Sequence, residues 1–191
     1  MKKHTHFILN KPYNYLCQFV NANKRKKGLL GDLNNFPDGT MSIGRLDAKS
    51  EGLLLLTTDG KVSYHILSRK VEKEYWVQVD GLITQEAIDK LSEGVEIGLQ
   101  DGSKYMTKPC EAFIIKHEPS LPVAERKVRD ERHGPKSWAS IIVREGKFRQ
   151  VRKMTAAVGF PTLRLIRVRI GNIKLGDIKP GEFVEVEVLE V

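Results

Sequence analysis

Short runs of apolar residues, or of alternating apolar and polar residues, predict strands along much of the chain. Phe7–Leu9 predicts a strand that leads into a loop at Asn10-Lys11-Pro12. Leu53–Thr58 is nearly all aliphatic, as in a buried strand, and Asp59-Gly60 supplies the turn that closes it. Further strands are predicted at Tyr75–Val79, at Trp138–Val143 and at Phe183–Val191, the last of them half-exposed at a sheet edge.

Apolar residues at helical spacing predict three helices. The first follows Gly60, the second begins after an N-cap at Thr84 and ends at Gly94, and the third spans Gln150–Val158 and ends at Gly159. Their apolar faces are Val62, Ile66 and Leu67; Ala87, Ile88 and Leu91; and Val151, Met154 and Val158. With more strand than helix, the chain is expected to be an α+β protein that folds as a single domain, residues 1–191, with one core divided into two lobes.

Two segments are predicted to be loops. Lys24–Lys27 is expected to be a basic loop tip, and prolines with alternating charges predict a long loop over Glu118–Ser137. Loops of that length in a compact domain are usually functional or disordered.

The composition indicates a globular chain of the cytoplasm. Hydrophobic residues make up 40% and charged residues 29% of the 191 positions, enough apolar material to bury a core without disulfides. Cys17 and Cys110 are far apart and outside any CxxC motif, which indicates a reducing compartment and no structural zinc site. The basic start is followed by His4–His6 instead of the apolar region of a signal peptide, and no apolar run approaches the roughly 20 residues of a membrane span.

Positive charge is concentrated in one stretch. The formal net charge is +8, and the stretch from Arg144 to Arg169 holds eight basic residues and a single acid, Glu145, which is 8 − 1 = +7. Such a surplus suits a polyanion, because each neutralised phosphate releases counterions. A solvated basic face is the alternative, and charge alone favours neither. The eight residues are Arg144, Lys147, Arg149, Arg152, Lys153, Arg164, Arg167 and Arg169.

The segment Gly44-Arg45-Leu46-Asp47-Ala48-Lys49-Ser50-Glu51-Gly52 has the strongest chemical signal. It is a polar loop with a glycine at each end, and the buried strand that follows it would hold its side chains in fixed positions. By residue types alone, hydrogen bonding within a turn is the commoner role of Asp47. The loop and the strand after it, however, resemble the signature of the pseudouridine synthases, in the branch that acts on ribosomal RNA.

Three further segments resemble the same family, in the family's order. Lys73–Val77 resembles the strand with an active-site tyrosine, which would be Tyr75. Glu145–Met154 resembles the motif that supplies a basic active-site residue, which would be Arg152. Leu163–Gly171 resembles the closing motif, in which Leu165 would line the uracil pocket.

Within the family, the type E synthases of the large ribosomal subunit look most similar, and the resemblance implies a fold. The expected architecture is α+β: the pseudouridine-synthase fold, with a mixed, largely antiparallel sheet flanked by helices and loops and two lobes around a central cleft. No S4 domain is expected, because the first predicted strand begins at Phe7. Arg149 stands where many relatives have histidine, a departure that bears on substrate preference.

The resemblance also implies a reaction and its residues. The chain would be an isomerase that converts a specific uridine of large-subunit (23S) ribosomal RNA to pseudouridine, with Asp47 as the catalytic aspartate. No cofactor is implied, since the reaction involves no redox change, and the partner is RNA, with no membrane and a monomeric protein expected. Arg152 would pair with Asp47 and favour its charged form, and Tyr75 would stack on the base or help remove its C5 proton. The expected substrate-binding residues are Arg45, Lys147, Arg149, Lys153 and Leu165.

Other interpretations remain open at this point. No metal site is expected, since the five histidines show no ligand spacing with carboxylates. Without the family, Arg152 is a phosphate contact and Tyr75 a packing residue. A non-catalytic RNA-binding protein would explain the basic stretch equally well. A hydrolase with paired carboxylates would need Asp38 or Asp59 beside Asp47, and both precede a glycine, so that turn formation explains them.

Overall fold

A computed structural model describes residues 4–20, 27–122, 124, 128 and 131–191. The chain divides into two compact units, and each is described by itself. The first unit consists of Met1–Val71 with Arg167–Val191, and the second of Glu72–Ile166. Most of the predicted basic tip at Lys24–Lys27, and residues 123, 125–127, 129 and 130 of the predicted long loop, lie outside the described residues.

Strands outnumber helices in both units. In chain order, the first part of the first unit contains β1 (His6–Lys11), β2 (Tyr15–Leu16), β3 (Gly28–Leu29), α1 (Leu30–Leu33), β4 (Met41–Ser42), β5 (Glu51–Thr57) and α2 (Gly60–Ser68). The second unit contains β6 (Lys73–Asp80), α3 (Gln85–Glu93), β7 (Glu96–Gly98), β8 (Lys104–Met106), β9 (Glu111–Ile115), a 3-10 turn (Glu131–His133), β10 (Lys136–Val143) and α4 (Gln150–Ala157). The chain ends with β11 (Thr162–Ile170), β12 (Ile173–Lys174) and β13 (Phe183–Val186), and the division between the units falls within β11.

The first unit is built around strand β5. All seven of its residues are buried, and Leu53–Leu56 have no exposed surface. Strand β1 pairs antiparallel with β5 on one side and with β13 on the other, while β4 pairs antiparallel with β5 near its end. The later part of β11 belongs to this unit and is β5's other neighbour in the sheet. A strand covered on both faces must be apolar throughout, which explains the Leu-Leu-Leu-Leu sequence.

The second unit is a sheet with helices against one face. Its strands follow the order β11, β6, β10, β9, with β6–β10 and β10–β9 antiparallel. Alternate residues of β6 and β10 point to the same face, so that Val77, Val79, Ala139 and Ile141 form one buried cluster. Apolar residues of α3 and α4 complete this cluster; those with no exposed surface, or almost none, are Ile88, Leu91 and Met154.

The fold confirms the α+β prediction with mixed sheets, and it corrects two details. Leu67, predicted on the apolar face of α2, is 57% exposed. The predicted strand Phe183–Val191 ends at Val186, and Val184 and Val188 are exposed where the alternation placed them on a common face. The ring of Phe183 contributes instead, since it packs edge-on against Phe7 with centroids 5.3 Å apart. The apolar alternation was therefore misleading at this edge strand.

Candidate active site

Asp47 lies in the loop between β4 and β5, and the backbone on each side of it is fixed by hydrogen bonds. The Asp47 carbonyl accepts from the Ser50 N–H at 2.9 Å, which closes a turn. The carbonyl of Ala48 accepts from the Asn14 N–H at 2.7 Å, which ties this turn to the segment after β1. The side chain of Asp47 is half-buried. Such a turn holds a carboxylate at a defined place without covering it.

Cys17 fixes the residue before Asp47. Its sulfur accepts a hydrogen bond from the Leu46 N–H and donates one to the Leu46 carbonyl, each at 3.2 Å. Burial raises the pKa of this thiol, so that it stays protonated and available as a donor. The cysteine that in the sequence indicated only a compartment is thus a structural contact of the loop.

Arg167 forms hydrogen bonds to the backbone near both ends of the loop. Its side chain is 4% exposed; Nε donates to the Leu53 carbonyl at 2.7 Å, and Nη1 donates to the Arg45 carbonyl at 3.3 Å. The glycines that bound the loop, Gly44 and Gly52, have φ values of 72° and 102°, a region that residues with a Cβ rarely occupy. Glycine reaches these backbone conformations without strain because it has no Cβ.

Lys11 is a second buried cation of the first unit. It has no exposed surface, and its Nζ donates to the carbonyls of Pro12 at 2.8 Å and of Tyr15 at 3.0 Å. Burial lowers the pKa of Lys11 from 10.5 to about 8, and the positive charge of Arg167 acts in the same direction. Interactions with Cys17, Glu51 and Asp47 oppose this shift. The loop over residues 44–52 (the aspartate loop) therefore lies in the field of two buried cations that belong to its own unit.

In the second unit, Tyr75 and Leu165 belong to one apolar environment. Leu165 on β11 is 4% exposed and is part of the buried cluster, and Tyr75 on β6 is partly buried against the same cluster. Helix α4 packs onto it through Val151 and Met154. Arg152 lies between these two residues and is partly buried. The structure thus gathers Tyr75, Leu165 and the helix of Arg152 around a common core.

A carboxylate organises the turn before α4. Glu145 accepts hydrogen bonds from the Tyr105 hydroxyl at 2.6 Å, from the Lys108 N–H at 3.0 Å and from Gln150 Nε2 at 2.6 Å. Gln150 in turn accepts the Lys147 N–H at 2.9 Å. Burial acts to raise the pKa of Glu145, but these hydrogen bonds together lower it. The carboxylate is therefore ionised at neutral pH and holds the turn in place.

The predicted basic residues around this turn have different surroundings. Lys147 is exposed, and its Nζ lies 4.5 Å from the centre of the Tyr105 ring. Arg149 is the N-cap of α4 with a left-handed φ of 52°, and it is partly buried. Lys153 donates to the Gly98 carbonyl. In the first unit, Arg45 is exposed within the aspartate loop, two residues before Asp47.

Not all of the basic stretch is available to a polyanion. Arg164 is 7% exposed and donates to the Pro122 carbonyl at 3.0 Å, and Arg167 is buried beneath the aspartate loop. Arg144 forms an ion pair with Glu72 at 2.6 Å. The positive charge available at the surface is therefore smaller than the sequence suggested, because the guanidinium groups of Arg164 and Arg167 are bonded inside the protein and do not face solvent.

Sequence reasoning missed Lys11, Cys17 and Arg167 as neighbours of the aspartate loop, and Glu145 as the centre of the turn before α4. Lys11 stood in what was predicted to be a loop, and Arg167 was counted as a surface cation. No local signal distinguishes a buried cation from an exposed one. The Glu145–Gln150 pair, separated by five residues, was the contact most open to prediction from sequence.

Potential metal ligands are dispersed over the described ranges of the chain. Within these residues, no group of three or more His, Cys, Asp or Glu side chains is arranged to hold a metal ion. Among the helices of the described part of the chain, none is long and apolar enough to span a bilayer.

Comparison with known proteins identifies the family. Residues 5–157 match the RNA pseudouridylate synthase family, and the chain belongs to it. The resemblance drawn from the sequence motifs is thereby confirmed, and with it the assignment of the chain as an isomerase and of its fold.

Named relatives share much of the sequence. A ribosomal large subunit pseudouridine synthase E of Xanthomonas axonopodis is 41% identical over 86% of this chain and 85% of its own length. The protein of the same name from Vibrio parahaemolyticus is 42% identical over 86% of this chain, which spans 66% of that relative. Among solved structures, a pseudouridylate synthase superposes with a TM-score of 0.75 at 25% identity, covering 97% of this chain and 71% of that one.

Proposed function

We propose that this protein isomerises a specific uridine of large-subunit ribosomal RNA to pseudouridine, with Asp47 as the catalytic aspartate. The observation that carries the proposal is the identity of about 40% with type E synthases of the large ribosomal subunit over 86% of the chain. The turn that holds Asp47 supports its role, because catalysis needs a carboxylate held in one position and open to a substrate.

The reaction needs an ionised carboxylate near the sugar. The bond from ribose C1′ to uracil N1 breaks, the base turns, and a new bond forms from C1′ to C5; C5 loses its proton and N1 gains one. Asp47 acts at the sugar as a nucleophile, as a base or as a stabilising charge, and all three roles require the charged form. Arg152 is the proposed cationic partner of Asp47, and Tyr75 stacks on the base or assists removal of the C5 proton.

The remaining predicted residues are proposed to bind the RNA. The reacting base must leave its stack to be reached, and exposed Arg45, in the aspartate loop, fills the space that it leaves. Leu165 lines the uracil pocket. Lys147, Arg149 and Lys153 bind phosphates near α4, a contact that reads the backbone and gives salt-dependent affinity.

The proposal is tested by turnover of a large-subunit ribosomal RNA transcript that carries tritium at uracil C5. Wild type should release tritium as pseudouridine forms, and Asp47→Asn should reduce this release at least about a thousandfold. Arg152→Ala should fold like wild type, and its tritium release should fall to a similar extent. Asp38→Asn is the matched control, since Asp38 is an exposed turn residue of the same unit, and it should turn over like wild type.

The alternatives predict different results. Release of free uracil would indicate a hydrolase, since isomerisation leaves the base attached to the ribose. Binding of the transcript without turnover by wild type or variant would indicate an RNA-binding protein. Mapping pseudouridines in ribosomal RNA from cells with and without the gene then identifies the uridine, and the loss of no site would contradict the ribosomal target.

A further inference from the structure

Phe148 is an exposed aromatic residue in the middle of the basic turn before α4. Its side chain is 48% exposed, and its sequence neighbours are Lys147 and Arg149. The Nζ of Lys153 lies 5.5 Å from the centre of the ring. An exposed phenylalanine alone is ordinary. A ring with one ammonium beside it and a basic residue on either side in the sequence has the components of a nucleotide site, a stacking surface with phosphate-binding groups nearby.

The ring is carried by a turn that is already ordered. Glu145 and Gln150, on either side of Phe148, are joined by a hydrogen bond of 2.6 Å, and Gln150 also accepts the N–H of Lys147. The Tyr105 hydroxyl holds Glu145 from a neighbouring strand. Because the backbone on both sides is fixed in the free protein, binding a ligand here costs little ordering entropy.

Charge selects the class of ligand. Arg164 and Arg167 are buried and Arg144 is paired with Glu72, and four of the basic residues that remain at or near the surface, Lys147, Arg149, Arg152 and Lys153, lie in the turn and the first residues of α4. Glu145 is turned to Tyr105, Lys108 and Gln150 by its hydrogen bonds, so that its charge is offset within the protein. The result favours an anionic ligand with a flat face.

We propose that Phe148 stacks on an unpaired base of the RNA, while Lys147 and Arg149 bind the adjacent phosphates. The inference rests on the proposed function, and it adds a base-binding position outside the residues assigned to the reaction. The base bound here differs from the uridine that reacts. A single-stranded region of the RNA is required, because bases inside a duplex have no free face.

The test compares binding of poly(U), a single strand with accessible bases, with binding of the duplex poly(A)·poly(U). Phe148→Leu should weaken poly(U) binding about 5- to 150-fold, the range for loss of one stacking contact, and should leave duplex binding within about twofold. Phe148→Trp keeps an aromatic ring at this position and should bind poly(U) like wild type. Lys147→Gln should weaken binding of both polymers, and it should reduce the slope of log affinity against log salt concentration by about one.

Phe113→Leu is the matched control. Phe113 is a phenylalanine of the same unit with 47% exposure, and it lies on β9 and not in the basic turn, so that this variant should bind both polymers like wild type. The inference is overturned if Phe148→Leu binds poly(U) like wild type, or weakens both polymers equally. Wild-type turnover of the transcript is measured separately, so that a failed isomerase assignment is distinguishable from a failed stacking site.

Discussion

Replacing Lys11 by methionine should change how stability depends on pH. The folded protein holds this amine without exposed surface, and burial lowers its pKa from 10.5 to about 8. Between pH 8 and 10.5 the unfolded chain therefore binds a proton that the folded protein has released. Stability of wild type rises with pH across this window, and below pH 8 the full cost of burying the charge is present.

The size of the effect follows from the shift in pKa. The difference of 10.5 − 8 = 2.5 units corresponds to about 3 kcal/mol at neutral pH. Of this, about 2 kcal/mol should be regained between pH 7 and pH 9.5. Methionine keeps most of the apolar contacts of the lysine stem. It leaves the carbonyls of Pro12 and Tyr15 without this donor, at about 1–3 kcal/mol each, a cost that does not vary with pH.

Urea unfolding of wild type and Lys11→Met at pH 7 and pH 9.5 measures this directly. The free energy of unfolding of wild type should increase by about 2 kcal/mol relative to the variant as the pH rises. Leu55→Ala is the control, because it truncates a buried side chain of the same unit without removing a titrating group. The difference in unfolding free energy between wild type and Leu55→Ala should be the same at both pH values. If the difference between wild type and Lys11→Met is also the same at both, the argument that Lys11 is buried as a charge is refuted.

Two further predictions concern the second unit. Gly94→Ala should destabilise the protein by at least about 2 kcal/mol more than Gly102→Ala, because both glycines have positive φ but a Cβ at Gly94 would collide with the Thr107 carbonyl; urea midpoints of the two variants measure the difference. Glu145→Gln should lose less stability than wild type as the pH falls from 5 to 3, because the lowered pKa of Glu145 stabilises the fold above pH 4.5 and that contribution disappears on protonation. An equal loss in acid unfolding would show that the Glu145 hydrogen bonds contribute no pH-dependent stability.

Local signals in the sequence predicted helices α3 and α4 well, whereas the short helix α1 was not predicted. Helix α3 begins and ends where Thr84 and Gly94 indicated: the Thr84 hydroxyl accepts the Ala87 N–H at 3.2 Å, and Gly94 has a φ of 105°. Helix α4 ends at Ala157, one residue before the predicted end. A cap involves residues within one turn, so the chain carries this information locally.

Strand pairing was harder to predict from the sequence than the helices were. Strand β11 combines alternating arginines with apolar residues, and the sequence alone suggested a basic surface there. In the structure β11 is an inner strand, with Arg164 and Arg167 buried and bonded to backbone carbonyls. Whether a guanidinium faces water or a carbonyl depends on strands that are distant in sequence, such as β5 with its Leu53 carbonyl, and no local pattern encodes that contact.

The sequence by itself determined the family, the α+β class and the loop on which Asp47 lies, because a long motif and short-range hydrogen bonding are properties of consecutive residues. The tertiary structure alone decided that the aspartate loop is held by Cys17 and Arg167 beside the buried amine of Lys11. These residues are separated along the chain and meet only when β1, β5 and β11 pair. The effect of each charge then depends on burial and on its partners, which are set by packing.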